Sequence, residues 1–254
     1  MEDTCSIQRR MAMVPESSSA AATHDTAMLD RLDAMQRTAP FSVLDERGLR
    51  DLAAHLTVVR FPRGEVIYRE GEPAGELFIV RRGQVKLTAR HPSRPKGLIG
   101  IVGPSQVFGE PGIIDHGPRA MDAEAMEDCE LLALPAAAFW DAVESYPVLA
   151  RRVIELLGER LRRSDRVAQD LIFFDAPTRL ARKLLDLAED YGEAAGGPIR
   201  IRVRMTQGEL AQMTGMSRPN VNRLLAEFEA KGWLDWNEGR PILLRPDLIV
   251  RHAG

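Results

Sequence analysis

The sequence predicts an α+β fold, in which a jelly roll of short β-strands (the β-roll) is followed by one long helix and a C-terminal winged helix-turn-helix. Three changes of pattern along the chain support this prediction. Between residues 57 and 134, short apolar runs alternate with glycine and proline, which is typical of antiparallel strands joined by tight turns. Between residues 135 and 174, apolar side chains recur at helical spacing. Beyond Pro177, two short helical patterns precede a hairpin pattern, the order found in winged helix-turn-helix modules.

The same changes divide the 254 residues into four predicted parts. Residues 1–27 lack periodic apolar side chains, so we expect a disordered tail. Residues 28–146 form the β-roll with its flanking helices, and residues 147–174 form the long dimerisation helix. Residues 175–254 form the winged helix-turn-helix domain, because the residue before Pro177 is disfavoured in a helix and proline suits the first turn of a new one.

Composition excludes several classes of protein. No window approaches the 18 apolar residues of a membrane span, and residues 1–10 carry charges rather than the apolar core of a signal peptide, so we expect a cytoplasmic protein with no membrane partner. Cys5 and Cys129 are too few for an iron–sulfur cluster or a structural zinc site. The five histidines are scattered and no nucleophile–base pair is visible, so we expect no metal, no cofactor and no enzyme. The formal net charge is −3, so any affinity for nucleic acid must come from a local basic patch.

Two amphipathic helices are predicted before the first strand. Met28, Leu32 and Met35 follow i, i+4, i+7 spacing, which indicates a short helix. Ser42 is the predicted N-cap of a second helix, whose apolar face includes Leu49.

The long helix carries an apolar heptad seam. Pro147 is placed to begin the helix in its first turn. Steps of four and three residues connect the members of the seam, which are Ala150, Ile154, Leu157, Leu161, Ser164, Ala168 and Leu171. Such a seam must be buried, and a second copy of the same helix across a two-fold axis is the simplest partner, so we predict a homodimer. The alternative is that the seam packs on the β-roll of its own chain.

The segment from Met205 to Trp233 predicts two short helices joined by a turn. Thr206 and Glu209 have the spacing of a capping box, and Gly215 supplies the turn. Ser217 is placed to cap the second helix. The predicted buried stripe of that helix contains Val221, Leu224, Leu225 and Phe228.

The opposite face of the second helix is suited to DNA. It carries Arg218, Asn222 and Arg223. Arginine can donate two hydrogen bonds to guanine, and asparagine can pair with adenine. Residues 198–223 contain five arginines and one glutamate, a local charge of +4, and residues 233–244 read as a β-hairpin wing. These features together indicate a DNA-binding helix-turn-helix, although a helical hairpin with solvated arginines is the simpler structural alternative.

These features resemble the Crp/Fnr family of bacterial transcription regulators. The resemblance covers about residues 30–250, in the family's domain order. Its most specific parts are the run Phe78-Ile79-Val80-Arg81-Arg82-Gly83-Gln84-Val85-Lys86-Leu87, the run Phe108-Gly109-Glu110 with Arg119 nine residues later, and the run Leu171-Ile172-Phe173-Phe174-Asp175. The resemblance implies a β-roll that binds a cyclic nucleotide, a dimerising helix and a DNA-binding domain.

The resemblance also implies an effector pocket for cyclic AMP or a related nucleotide. Gly109 and Glu110 indicate a tight turn into a short helix, where backbone N–H groups can surround a phosphate, and Arg119 supplies the opposite charge. In cyclic-AMP-binding members the matching Glu and Arg hold the ribose and the phosphate. The family's usual Ser or Thr after the arginine is Ala120 here, and Pro111 replaces a leucine, so two donors are missing and binding should be weakened, by roughly 1–3 kcal/mol for the hydroxyl. A structural ion pair between Arg119 and Glu110 is the alternative.

On the long helix, Ser164 and Asp165 match the positions that reach the adenine edge in similar proteins. A polar Ser164 within an apolar seam is consistent with a ligand contact. Asp165 could accept a hydrogen bond from an exocyclic amine, or it could be solvated and paired with Arg162.

By the same resemblance, Arg218 and Arg223 contact bases and phosphate, and the hydroxyls of Thr206 and Ser217 contact phosphate. The family's acidic reader of cytosine is Pro219 here, which should change the preferred base at one position of each half-site. We therefore expect a homodimeric, sequence-specific transcription regulator whose partners are a palindromic double-stranded operator and RNA polymerase. Two alternatives stay open: DNA binding that is independent of cyclic AMP or under another effector, and a cyclic-nucleotide-binding module that acts through protein partners.

Overall fold

The computed structural model describes residues 20–91, 93–194, 197–237 and 239–253. The chain forms two compact units, one within residues 1–92 and 101–159 and the other within residues 93–100 and 160–254. The predicted α+β architecture is confirmed. Within the described part of the chain, no helix is both long and apolar enough to cross a membrane.

The β-roll contains eight strands in two four-stranded antiparallel sheets. The strands are β1 (Thr57–Phe61), β2 (Val66–Tyr68), β3 (Glu76–Arg82), β4 (Val85–His91), β5 (Arg94–Val102), β6 (Val107–Phe108), β7 (Asp122–Ala125) and β8 (Cys129–Pro135). Their orders are β1-β8-β3-β6 in one sheet and β2-β7-β4-β5 in the other. The helices up to the middle of the chain are α1 (Ala20–Gln36), α2 (Glu46–Ala53), α3 (Pro111–Ile114), α4 (Ala136–Ser145) and α5 (Pro147–Phe173).

Strands β3 and β8 each contain a continuous apolar run, residues 77–80 and 131–134, and both faces of these runs are buried. Phe78 and Leu131 point into the core inside the roll, together with Val80 and Ala133. The alternate residues of the same strands join a second core formed with the flanking helices: Leu77, Ile79, Leu132 and Leu134. A strand covered on both sides loses the usual alternation of polar and apolar residues. This explains the continuous runs from which the sequence predicted these strands.

The N-terminal helices differ from the prediction in two details. Helix α1 begins at Ala20, inside the predicted tail of residues 1–27, because alanine is the strongest helix former and the Ala20–Ala22 run extends the helix backwards. Residues 1–19 lie outside the described residues. Helix α2 is capped by Asp45, whose Oδ1 accepts a hydrogen bond from the Gly48 N–H at 2.8 Å, rather than by Ser42. Ser42 lies instead in a 3₁₀ turn that precedes the helix.

Helix α5 uses one side for its own domain and leaves the seam exposed. Leu149 and Val153 pack on the core beside the roll. In contrast, Ile154 and Leu161 are 69% and 63% exposed, and Leu171 is 53% exposed. Ile154 therefore does not pack on the β-roll of its own chain, because Leu149 and Val153 already form the roll-facing side of the helix.

The C-terminal unit is a winged helix-turn-helix with one more helix than predicted. Its elements are α6 (Ala176–Tyr191), β9 (Gly192–Ala194), β10 (Ile199–Ile201), α7 (Gln207–Thr214), α8 (Arg218–Ala230), β11 (Leu234–Asn237), β12 (Arg240–Leu243) and α9 (Pro246–Ala253). The predicted wing, β11 and β12, belongs to a four-stranded sheet in the order β11-β12-β10-β9. The C-terminal half of α5 joins this unit through an ion pair between Asp170 and Arg182 at 2.9 Å.

Candidate effector pocket and DNA-contacting face

Arg119 is the most buried charged side chain of the predicted effector pocket. Its side chain is 2% exposed. Its Nη1 donates to the carbonyl oxygen of Gly109 at 2.9 Å, and its Nη2 lies 3.4 Å from Oε1 of Glu76. The guanidinium carbon is 4.2 Å from the centre of the Tyr68 ring, within the range of a cation–π contact. Elements β2, β3 and the turn before α3 therefore converge on one buried cation.

Gly109 is required for this arrangement. Its φ of +84° is a backbone conformation that residues other than glycine rarely adopt. A Cβ at this position would lie 2.6 Å from Nη1 of Arg119. The glycine therefore permits both the turn and the close approach of the guanidinium to its carbonyl.

Arg119 and Glu76 each stabilise the charged form of the other in the pocket. Burial lowers the pKa of Arg119, and the charges of Tyr68, Glu76, Glu72 and Glu110 oppose that effect. Burial raises the pKa of Glu76, and the charge of Arg119 opposes it. Nε of Arg119 is buried and finds no hydrogen-bond partner among the described residues. A desolvated guanidinium with one unused donor is suited to an anionic ligand.

The other predicted pocket residues, Glu110 and Ala120, are placed less favourably for contact with a phosphate. Glu110 is partly buried at the N-cap position of α3, and its carbonyl accepts hydrogen bonds from the Ile113 and Ile114 N–H groups. The four-residue helix uses these two N–H groups for its own closure, so the predicted phosphate cradle, which stays a prediction, would use other N–H groups of the turn. Ala120 is exposed. Arg119 forms an ion pair with Glu76, a partner that the sequence analysis missed.

Ser164 and Asp165 lie on α5, and both are exposed. Their contact with a ligand remains a prediction. Among the residues that the structure describes, no three His, Cys, Asp or Glu side chains are grouped so that they could hold a metal ion.

The helix-turn-helix has the local features that the sequence predicted. The Thr206 hydroxyl accepts a hydrogen bond from the Glu209 N–H at 3.1 Å, and the Glu209 carboxylate accepts one from the Thr206 N–H at 2.7 Å, which completes the capping box. Gly215 ends α7 with a φ of +66°. Ser217 occupies the N-cap position of α8, although its hydroxyl caps no N–H group of the described helix. That hydroxyl is therefore available for another acceptor or donor.

The outer face of α8 is exposed and its inner face is buried. Arg218, Asn222 and Arg223 are all exposed. Arg223 forms an ion pair with Glu227, and its Nη2 donates to Oδ1 of Asn220 at 2.9 Å. The residues buried beneath them are Val221, Leu224, Leu225 and Phe228. The helix therefore presents a preformed polar surface supported by an apolar stripe.

A second basic group lies on the wing. Arg200 and Arg240, from β10 and β12, line a shallow cavity of about 110 Å³. Arg240 follows Gly239, whose carbonyl accepts a hydrogen bond from the Met205 N–H at 2.8 Å, so the hairpin turn is attached to the segment that leads into α7. The sequence analysis counted Arg200 but missed Arg240, although the residue stands in the hairpin turn that predicted the wing.

A β-roll, a long helix and a winged helix-turn-helix with an exposed basic face are together the parts of a DNA-binding regulator. Two family models match the chain: the cyclic nucleotide-binding domain over residues 58–146, and the Crp-like helix-turn-helix domain over residues 178–248. The chain belongs to the Crp/Fnr family of transcription regulators.

Relatives with established names support this assignment. The chain is 36% identical over 210 residues to the CRP-like cAMP-activated global transcriptional regulator of Mycobacterium tuberculosis, covering 83% of this chain and 93% of that protein. It is 33% identical over 172 residues to the cyclic AMP receptor protein of Thermus thermophilus, covering 68% of this chain and 76% of that protein. These relatives are transcription regulators, not enzymes.

Solved structures show the same fold. The c-di-GMP responsive global regulator CLP of Xanthomonas campestris matches with a TM-score of 0.64 and 26% identity, over 78% of this chain and 99% of that chain. FixK2 of Bradyrhizobium japonicum matches with a TM-score of 0.70 and 21% identity, over 78% of this chain and 98% of that chain. The second likeness bears on the fold alone.

Proposed function

We propose that this regulator binds a palindromic operator as a homodimer and is controlled by cyclic AMP or a related nucleotide in its β-roll. The observation that carries the effector assignment is the buried Arg119, a desolvated guanidinium with an unused Nε donor. A cyclic phosphate would accept hydrogen bonds from this group, and Glu110 would accept one from the ribose hydroxyl. Gly109 keeps the turn open for the phosphate, and Ala120 would contact it without donating. The relatives named for cyclic AMP support the same ligand class.

The homodimer would form through the exposed seam of α5. Ile154, Leu157 and Leu161 are apolar, exposed and aligned on one side of the helix, and an identical helix would bury all of them. In that arrangement Ser164 and Asp165 would approach the adenine edge, one subunit contributing to the pocket of the other.

DNA recognition would use the outer face of α8 in the major groove. Arg218 and Asn222 would read base edges, and Arg223 would reach a base or a phosphate after exchanging its contact with Glu227. Thr206 and Ser217 would donate hydrogen bonds to phosphate oxygens. Such a regulator would act in the cytoplasm and, once bound to its operator, would contact RNA polymerase.

The function is tested by titrating operator DNA against the full-length protein, with and without cyclic AMP, in a gel-shift assay at fixed salt. Arg218→Ala should weaken operator binding by about 1–3 kcal/mol, as expected for a lost bidentate contact. Arg245→Ala is the matched control, because Arg245 is also an exposed arginine of the same unit but lies outside α8. Equal affinities for the two variants would contradict the assignment of α8 as the reading helix.

The same titration separates the effector from the DNA-binding face. Arg119→Ala should remove the response to cyclic AMP while the affinity without cyclic AMP stays near that of the wild type. An operator affinity that never responds to cyclic AMP, in either protein, would favour the alternative of DNA binding under another effector or none.

A further inference from the structure

The buried cation of the effector pocket already has an internal anion. Oε1 of Glu76 lies 3.4 Å from Nη2 of Arg119, on the first residue of β3. Glu76 is 24% exposed, whereas Arg119 is 2% exposed, so solvent reaches the Glu76 side chain more easily than the guanidinium. The other Nη of Arg119 is occupied by the Gly109 carbonyl.

We infer that Glu76 is a specificity-determining residue of the effector pocket, which competes with the ligand phosphate for Arg119 and selects against highly charged nucleotides. This inference rests on the proposed effector site. A phosphate that reaches Arg119 must approach within a few ångströms of the Glu76 carboxylate or displace it. A like charge at that distance in a partly buried site is strongly unfavourable.

The competition distinguishes ligands by their charge. A cyclic phosphodiester carries one negative charge, whereas a phosphomonoester such as 5′-AMP carries nearly two at neutral pH, since its second pKa is about 6. The attraction to Arg119 and the repulsion from Glu76 both scale with the charge of the ligand. An ionised Glu76 therefore cancels much of the extra attraction that Arg119 alone would give to the monoester, and it lowers the preference of the pocket for the dianion relative to the cyclic nucleotide.

Protonation of Glu76 should remove this barrier. Burial raises the pKa of Glu76, so its neutral form is reached at a higher pH than that of an exposed glutamate. Ligand binding is then accompanied by proton uptake, and affinity increases as the pH falls. The other titratable groups that surround Arg119 are Tyr68, Glu72 and Glu110, and all three are retained in a Glu76 variant.

The test is calorimetric titration of the full-length protein with cyclic AMP and with 5′-AMP between about pH 5.5 and pH 8. Glu76→Gln keeps the shape of the side chain and removes its charge. The substitution removes a negative charge about 5 Å from the ligand phosphate. With the repulsion reduced for partial exposure, its removal should tighten cyclic AMP binding about tenfold at pH 8 and should tighten 5′-AMP binding more. The wild type should gain affinity as the pH falls, and the variant should lose that part of the pH dependence.

Glu124→Gln is the matched control. Glu124 is 26% exposed and forms an ion pair at 2.7 Å in the same roll, but with Lys86 rather than with Arg119. This variant should bind both nucleotides like the wild type. Thermal unfolding of each variant checks that the fold is retained, and the pH series of the wild type tests the inference without any substitution.

The outcomes separate this inference from the proposed function. If the wild type binds cyclic AMP, and Glu76→Gln shows the same affinity and the same pH slope, the role of Glu76 is refuted and the proposed effector stands. If only Glu76→Gln binds, the inference is supported in its strongest form, since Glu76 then excludes the nucleotide altogether. If neither protein binds either nucleotide at any pH, both the effector assignment and the inference are wrong.

Discussion

Replacing Leu161 with alanine should weaken the homodimer, and the expected size follows from the exposure of this side chain. Leu161 is 63% exposed in the single chain, at the middle of the apolar seam of α5. Full burial of a leucine side chain is worth about 1.5–3 kcal/mol, so the part newly buried by a partner contributes about 1–2 kcal/mol. The substitution occurs twice in a two-fold dimer, which gives about 2–4 kcal/mol, or roughly 30- to 1,000-fold in the dimer dissociation constant.

The assay is sedimentation equilibrium of the wild type and the variant over a dilution series. Leu29→Ala is the matched control, because Leu29 is also a helical leucine and is 62% exposed, but it lies on α1. Leu161→Ala should dissociate at much higher protein concentration than Leu29→Ala. If the two variants dissociate at the same concentration, or if the wild type is a monomer throughout, the seam is not the dimer interface.

Two further predictions concern the caps of the DNA-binding unit. Thr206→Ala removes the hydroxyl that accepts a hydrogen bond from the Glu209 N–H and should destabilise the protein by about 1 kcal/mol. Thr206→Ser keeps a hydroxyl and should not destabilise it. Equal thermal midpoints for the two variants would contradict the cap. Hydrogen bonds from the Thr178 side chain and backbone lower the pKa of Asp175, so its cap of α6 contributes at neutral pH and is lost as the carboxylate is protonated, below about pH 4. The difference in urea midpoint between the wild type and Asp175→Ala should therefore shrink between neutral pH and about pH 3, and a constant difference would contradict this role.

The helix-turn-helix could be predicted almost completely because its determinants are local. The capping box joins Thr206 to Glu209, three residues apart, and the turn depends on the positive φ of Gly215 alone. The buried stripe of α8 follows from helical spacing. Each of these features is set by a few neighbouring residues, so the sequence pattern contains it.

The N-terminal cap of α2 shows where local patterns become ambiguous. Ser42 and Asp45 are both good caps, three residues apart, and either would have preceded an apolar helical face. The structure uses Asp45, because Phe41 is buried in the core and places the preceding residues in a 3₁₀ turn. The choice thus depends on the packing of Phe41, which the helical period does not report.

The contacts of Arg119 could not be predicted, because they join residues distant in sequence. Glu76 precedes a buried apolar run, and nothing in that pattern shows whether its side chain faces solvent or the pocket. The pairing of β3 with β8 and β6 fixes the direction of β3 and brings Glu76 to the guanidinium. The sequence analysis considered only Glu110 as an alternative ion-pair partner of Arg119.

The ion pair between Arg119 and Glu76 affects how a phosphate ligand would bind. Since Arg119 is already paired, binding a phosphate in this pocket is an exchange of one anion for another, and its free energy is the difference between two similar interactions. The hydroxyl missing at Ala120 and the N–H missing at Pro111 would weaken the binding of a ligand phosphate. The Glu76 carboxylate strengthens the competing interaction within the protein. Under the proposed function, a single change at Glu76 would alter which nucleotide binds, and at what pH, while Arg218 and the rest of α8 remain unchanged. The choice among phosphate ligands and the recognition of DNA would then be separable, because Glu76 and Arg119 belong to the β-roll and the base-reading side chains to α8.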